Sequence, residues 1–178
     1  MSGNSVSNTR LSLAAACLLA AFVAPAWAGP AGVRLPFETA RVGQGTLQYF
    51  GFRIYDATLW APGGKWHADA PYALELAYAR EFSGATLASS TVKQMRKQGR
   101  LPPPTLATWE KKLGAMLPDV KPGDRLAAIR IPGQGVSFHA GSRPLGQIGD
   151  EAFAESFFAI WLDTKTAVPA LRSRLLGG

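Results

Sequence analysis

Arg53 is the residue best placed for chemistry in this sequence, because two tyrosines share its face of one predicted strand, Tyr49 four residues before it and Tyr55 two after. A guanidinium holds a carboxylate or an enolate through two parallel N–H donors, and a phenol can donate to the same oxygen. Tyr78 and Arg80 lie on one face of the next predicted strand and would join the set if the two strands pair antiparallel. Arg53, Tyr49, Tyr55, Tyr78 and Arg80 together suit an anionic head group below an apolar body. Phe50, Phe52, Leu76 and Phe157 are the expected lining for that body, in a cleft between sheet and helices.

Other chemistries are poorly supplied. His67 and His139 are the only histidines, far apart, with no HExxH motif, so neither a metal site nor any other cofactor is expected. Ser137, His139 and Asp150 could be drawn as a hydrolytic triad, but Ser137 lacks the G-x-S-x-G turn that presents such a nucleophile. Asp150 and Glu151 look like helix-start residues rather than an acid and base couple. Gly133 and Gly135 lack the third glycine and the following helix of a phosphate loop, which makes them turn residues.

The elements that must position these side chains begin after a leader. Arg10 precedes the uncharged run Leu11 to Val23, and Ala26-Trp27-Ala28 offers small residues where a signal peptidase reads, so residues 1–28 are expected to be a signal peptide cleaved after Ala28. The mature chain, 29–178, is then one domain, periplasmic or secreted, with no transmembrane span. Cys17, the only cysteine, goes with the leader, which leaves no disulfide or thiol. Without Arg10, 18 of the 19 basic residues remain against 12 acidic ones. Export argues against nucleic acid as the partner of that excess, much of which falls on Lys93, Arg96, Lys97, Lys111 and Lys112 at the wet faces of predicted helices. The expected partner is a small apolar anion, and no motif sets an oligomeric state.

Gly45 to Trp60 alternates with both faces largely apolar, which predicts one central strand covered on both sides. Val42-Gly43-Gln44-Gly45 reads as the turn into it and Ala61-Pro62-Gly63-Gly64 as its end. Pro71 to Arg80 is the next strand. Helices are predicted over Ala85 to Gln98 and Thr105 to Leu117, separated by Leu101-Pro102-Pro103-Pro104, which is expected to be non-helical. A strand meander follows, Arg125 to Ile131, Val136 to His139 and a short strand toward Ile148. Asp150 should cap a strongly apolar helix to Leu162, and Thr166 a last helix over Ala167 to Leu176. Strands, two helices, strands and two helices predict an α+β domain with helices on one face of an antiparallel sheet.

The run from Gly45 through Tyr49-Phe50-Gly51-Phe52-Arg53-Ile54-Tyr55-Asp56-Ala57, the strand Leu74-Glu75-Leu76-Ala77-Tyr78, the turn Pro122-Gly123-Asp124-Arg125 and the segment Phe157 to Asp163 resemble the bacterial chalcone-isomerase-like proteins. The resemblance implies an open-faced β-sandwich, a curved antiparallel sheet with helices packed on one side. It implies either an intramolecular lyase, an isomerase closing the ring of a chalcone, or a non-catalytic binder that holds a fatty-acid carboxylate with an Arg and a Tyr. Arg41 and Arg53 are both candidates for that Arg. Phe82 stands where the plant enzymes carry a Tyr, and Ser89 near their Asn, so the resemblance favours the binder over the enzyme. A partner-binding module of the cell envelope, using the basic helical face, is the remaining expectation.

Overall fold

The structure is a computed structural model that describes residues 29–33, 35, 37–99 and 101–178, so the expected leader lies outside the described residues. Among the described residues six strands form one antiparallel sheet in the order in which the chain visits them: β1 (Ala40–Tyr49), β2 (Phe52–Ala61), β3 (Tyr72–Tyr78), β4 (Arg125–Arg130), β5 (Val136–Ala140) and β6 (Arg143–Ile148). Two helices, α1 (Gly84–Lys97) and α2 (Pro103–Met116), lie in the connection from β3 to β4, and α3 (Glu151–Leu162) and α4 (Pro169–Leu175) close the chain. The helices cover one face of the sheet, as the α+β open-faced sandwich expected from the sequence requires.

The core lies between sheet and helices. Ala57, Leu59, Leu74, Ala128, Val136 and Phe138 point from the strands to Val92 and Met95 of α1, Leu106, Trp109 and Leu113 of α2, Phe153, Phe157 and Phe158 of α3, and Leu171 and Leu175 of α4. Asp150 starts α3 by accepting from the backbone N–H groups of Ala152 and Phe153, which satisfies two donors of the open first turn. On the opposite face Val33, Leu35 and Phe37 close over Ala73, Ile129 and Trp60. Beside that patch runs a polar strip in which buried Glu75 accepts from Arg125 at 2.5 Å.

The structure corrects four sequence expectations. The run Gly45 to Trp60 is not one central strand but most of a hairpin, β1 and β2 turning at Phe50-Gly51, and β1 is an edge strand. Both turn residues have positive φ, 48° at Phe50 and 77° at Gly51. Gly43 and Gly45 lie inside β1, not in a turn. A Cβ on Gly43 would meet the carbonyl oxygen of Arg174 at 2.1 Å, and one on Gly45 the Leu171 side chain at 2.6 Å, so these glycines let α4 lie against the strand. Pro103 and Pro104, expected outside any helix, form the first turn of α2, where a missing N–H costs nothing. The last helix is also shorter than expected: Thr166 precedes it, donating to the carbonyl of Ile160 at 2.6 Å and accepting from the N–H of Val168 at 3.2 Å.

Candidate functional site

Helices α1 and α3 leave a gap above the middle of the sheet. It encloses a cavity of about 230 Å³. Its floor is Tyr55, Leu74, Leu76 and Tyr78 from β2 and β3, with Leu126 and Ala128 of β4 and Phe138 of β5. Phe157, Ile160 and Trp161 of α3 form one wall, and Phe82 with Leu87 of α1 the other. Polar groups come mainly from one stripe of α1, Thr86, Ser90 and Gln94, spaced by four residues so that they stack on one side of the helix. Thr86 and Ser90 are exposed, which puts the mouth beside them. No Lys, Arg, Asp or Glu stands among the described residues of the lining.

The two phenols in the floor are organised by the strand pairing. Tyr55 and Tyr78 are direct partners across β2 and β3, their ring centroids 6.0 Å apart. The Trp161 indole N–H donates to the Tyr55 hydroxyl at 2.9 Å, tying α3 to the sheet at the cavity edge. Burial pushes the Tyr55 phenol up to about 12, the bond from Trp161 offsetting a little of that rise. Tyr78 is raised too, by burial and by the neighbouring Tyr55. Both therefore remain protonated at neutral pH, able to donate a hydrogen bond but poor as bases. His139 borders the same space, and burial lowers its pKa, which favours the neutral imidazole.

Of the five residues anticipated from the sequence, Tyr55 and Tyr78 line this cavity and Tyr49, Arg53 and Arg80 do not. For Arg53 the cause is a bulge. Leu47 faces Tyr55 and Gln48 faces Arg53, so Ile54 is an extra residue on β2 and the alternation shifts by one. Ile54 and Tyr55 then both reach the cavity, while Arg53 joins Asp56 on the polar side of the sheet. There its Nη2 pairs with Asp56 Oδ2, and its Nε donates to Oδ1 at 3.2 Å. Burial alone would raise the Asp56 carboxyl; Arg53, the Thr46 hydroxyl and Arg125 outweigh that and hold it below the usual range. Arg80 stands over the Phe52 ring, 4.9 Å from its centroid.

Tyr49, Phe50 and Phe52 are exposed at the hairpin end, so Phe50 and Phe52 do not line the cleft expected of them, whereas Leu76 and Phe157 do. Arg41, the other candidate guanidinium, lies on the exposed outer part of β1 with Gln44 as partner at 3.4 Å. Ser89 points to the Thr86 carbonyl, and its neighbour Ser90 lines the cavity instead. Sequence reasoning missed Phe82 as lining, the α1 stripe and Trp161 as a donor. The four-residue spacing of Thr86, Ser90 and Gln94 was the available signal.

No helix among the described residues is long and apolar enough to cross a membrane. Comparison of the coordinates with solved structures finds a crystal structure of an Arabidopsis thaliana fatty-acid binding protein, with a TM-score of 0.60 and 11% identity, over 82% of this chain and 89% of that one. At that identity the likeness concerns the fold alone. No curated protein matches the sequence. The family model described as chalcone isomerase-like matches residues 41–177, from the start of the hairpin through the last helix. The chain therefore belongs to the chalcone isomerase-like family.

Proposed function

We propose that this domain is a non-catalytic binder of a small apolar molecule with one polar head, of the fatty-acid class, held in the cavity between sheet and helices. The observation that carries the reading is the composition of that cavity: aliphatic and aromatic walls, two protonated phenols in the floor and a stripe of neutral polar groups at the mouth. A pocket of this kind supplies hydrophobic burial with a few orienting hydrogen bonds. It supplies little for a lyase, since an enolate forming there would meet no cation among the described lining residues. The structural neighbour, a fatty-acid binding protein, supports the same class. At about 230 Å³ the cavity exceeds the ~150 Å³ that takes one benzene ring, which scales to a buried chain of roughly nine carbons.

In this reading the head lies inward, near the Tyr78 hydroxyl, and is bound uncharged. A second orientation has its own support. A smaller depression shares Gln94 and Ile160 with the cavity and is bordered by Lys97, Lys165 and Asp163, where the two lysines outnumber the one carboxylate and would offer an outward-facing carboxylate its counter-charge. We further propose that binding takes place outside the cytoplasm, after removal of residues 1–28, on the strength of the apolar run after Arg10.

Calorimetric titration of the purified protein with decanol and decanoic acid across pH tests both orientations. The inward head predicts that decanol binds at least as well as the acid and that the acid weakens as it ionises. The outward head predicts the acid to be preferred at neutral pH, and that preference to vanish in Lys97→Ala with Lys165→Ala. Absence of binding by either compound, together with a purified protein that carries no lipid by mass spectrometry, would end the binder reading.

A further inference from the structure

The end of the β1–β2 hairpin breaks two rules at one residue. Among the described residues the exposed large hydrophobic side chains are Tyr49, Phe50 and Phe52, at 65%, 83% and 59%, all within four positions of one turn. Phe50 is also the one non-glycine residue with positive φ among those described. A two-residue hairpin turn with both central residues at positive φ favours Asn-Gly, where the side chain tolerates the conformation. Here the chain instead holds a large apolar ring at a strained backbone position and presents it to water. Neither the strain nor the exposure helps the fold, and such a local conflict points to a contact outside the chain.

We propose that this hairpin end is a membrane-docking tip that enters the headgroup region of an anionic lipid surface. Its shape and chemistry select a lipid bilayer over a protein. The apolar rings crown a convex tip, which a soft medium accommodates without a matching pocket. Tyr49 and Phe50 pack edge to face with centroids 4.4 Å apart, so the crown is pre-formed. Aromatic side chains favour the boundary between headgroups and acyl chains. Arg80, exposed and seated over Phe52, provides a cation beside the rings, and residues 29–178 hold 18 basic against 12 acidic side chains. The location agrees: Leu47, Ile54 and Tyr55 of the same hairpin line the cavity, so a docked tip would bring the cavity to a bilayer, a reservoir of apolar ligands. The tip is independent of what fills the cavity and stands or falls apart from it.

Hydrogen–deuterium exchange of the full chain, followed on peptides covering residues 47–54 with and without vesicles, is the test, since it reads the tip and not the N-terminal apolar run. Vesicles of phosphatidylcholine with phosphatidylglycerol should slow exchange at Phe50 and Gly51, and phosphatidylcholine alone should do so less. Phe50→Asn should weaken that protection about ten-fold, the effect of losing one buried phenyl ring from the membrane. The same variant should keep or raise the urea midpoint, because Asn accepts positive φ, and this separates a docking role from a structural one. Unchanged exchange on adding vesicles, equal protection in Phe50→Asn, or protection of the tip by a protein partner but not by vesicles would overturn the proposal.

Discussion

Tyr49 and Tyr55 belong to the same hairpin, six residues apart, yet they have opposite fates. Tyr55 lies in the stem, paired with Tyr78 across the sheet and bonded by Trp161, with its phenol pushed up to about 12 by burial. Tyr49 lies at the tip, 65% exposed, beside a phenylalanine that is more exposed still. In the stem aromatic residues are held by packing and serve an internal cavity. At the tip the same residue types are presented outward by a turn with two positive φ angles. An aromatic residue in a β-pattern thus reports burial only when the neighbouring strand and a covering layer are known.

The widest separation between the two regions should come from their glycines. Gly43→Val in the stem drives side-chain atoms into the α4 backbone at Arg174 and Leu175, and should cost at least ~3 kcal/mol in urea unfolding. Gly51→Ala at the tip meets nothing within 4 Å and should cost about 1 kcal/mol, through its positive φ alone. If both variants lose equal stability, stem and tip do not differ as described.

Alkaline titration comes next. Burial raises Tyr55 and Tyr72 to about 12, so the folded state binds their protons more tightly than the unfolded state does. Their contribution is complete below the unfolded value near 10 and declines between there and 12, by about 1.4 kcal/mol per pH unit for each group. Denaturation followed from pH 8 to 12 should therefore show a plateau and then a fall, with the Tyr55 share missing in Tyr55→Phe.

The hydroxyls themselves give a smaller contrast. Tyr55→Phe removes the acceptor of the Trp161 indole and should cost about 1–2 kcal/mol at neutral pH, because a part-buried donor is left unmatched. Tyr49→Phe at the tip should stay within about 0.5 kcal/mol of wild type. Tyr78→Phe should leave folding nearly unchanged, because that hydroxyl has no hydrogen-bond partner among the described residues, and should weaken ligand binding by about one hydrogen bond, roughly ten-fold at most.

Much of the fold was legible in the sequence wherever a period and a punctuation mark coincided. Helix α3 follows from Asp150 and a stripe of Phe153, Phe157 and Trp161, and β4 to β6 follow from Gly-containing turns between short apolar runs. The hairpin was not legible, because Tyr49-Phe50-Gly51-Phe52 continues the alternation through its own turn and lacks the Asn-Gly signal. Gly43 and Gly45 misled for a related reason: glycine serves both a turn and a close helix approach, and sequence alone does not say which. The cavity was half legible. The pairing of Tyr55 with Tyr78 follows from strand order, but one extra residue at Ile54 moves Arg53 to the other face, and no residue type announces that bulge.

The proposed ligand would occupy the space between β3, α1 and α3, beside the Tyr55–Trp161 hydrogen bond. Nuclear magnetic resonance of the Trp161 indole N–H during titration with decanoic acid, decanol and a hexadecyl analogue reads that bond directly. Saturable shifts of the Trp161 signal are expected with one equivalent of the ten-carbon compounds, and weaker effects at the indoles of Trp60 and Trp109, which do not line the cavity. A Trp161 signal unmoved while ligand binds, or moved no more than that of Trp109, would contradict it.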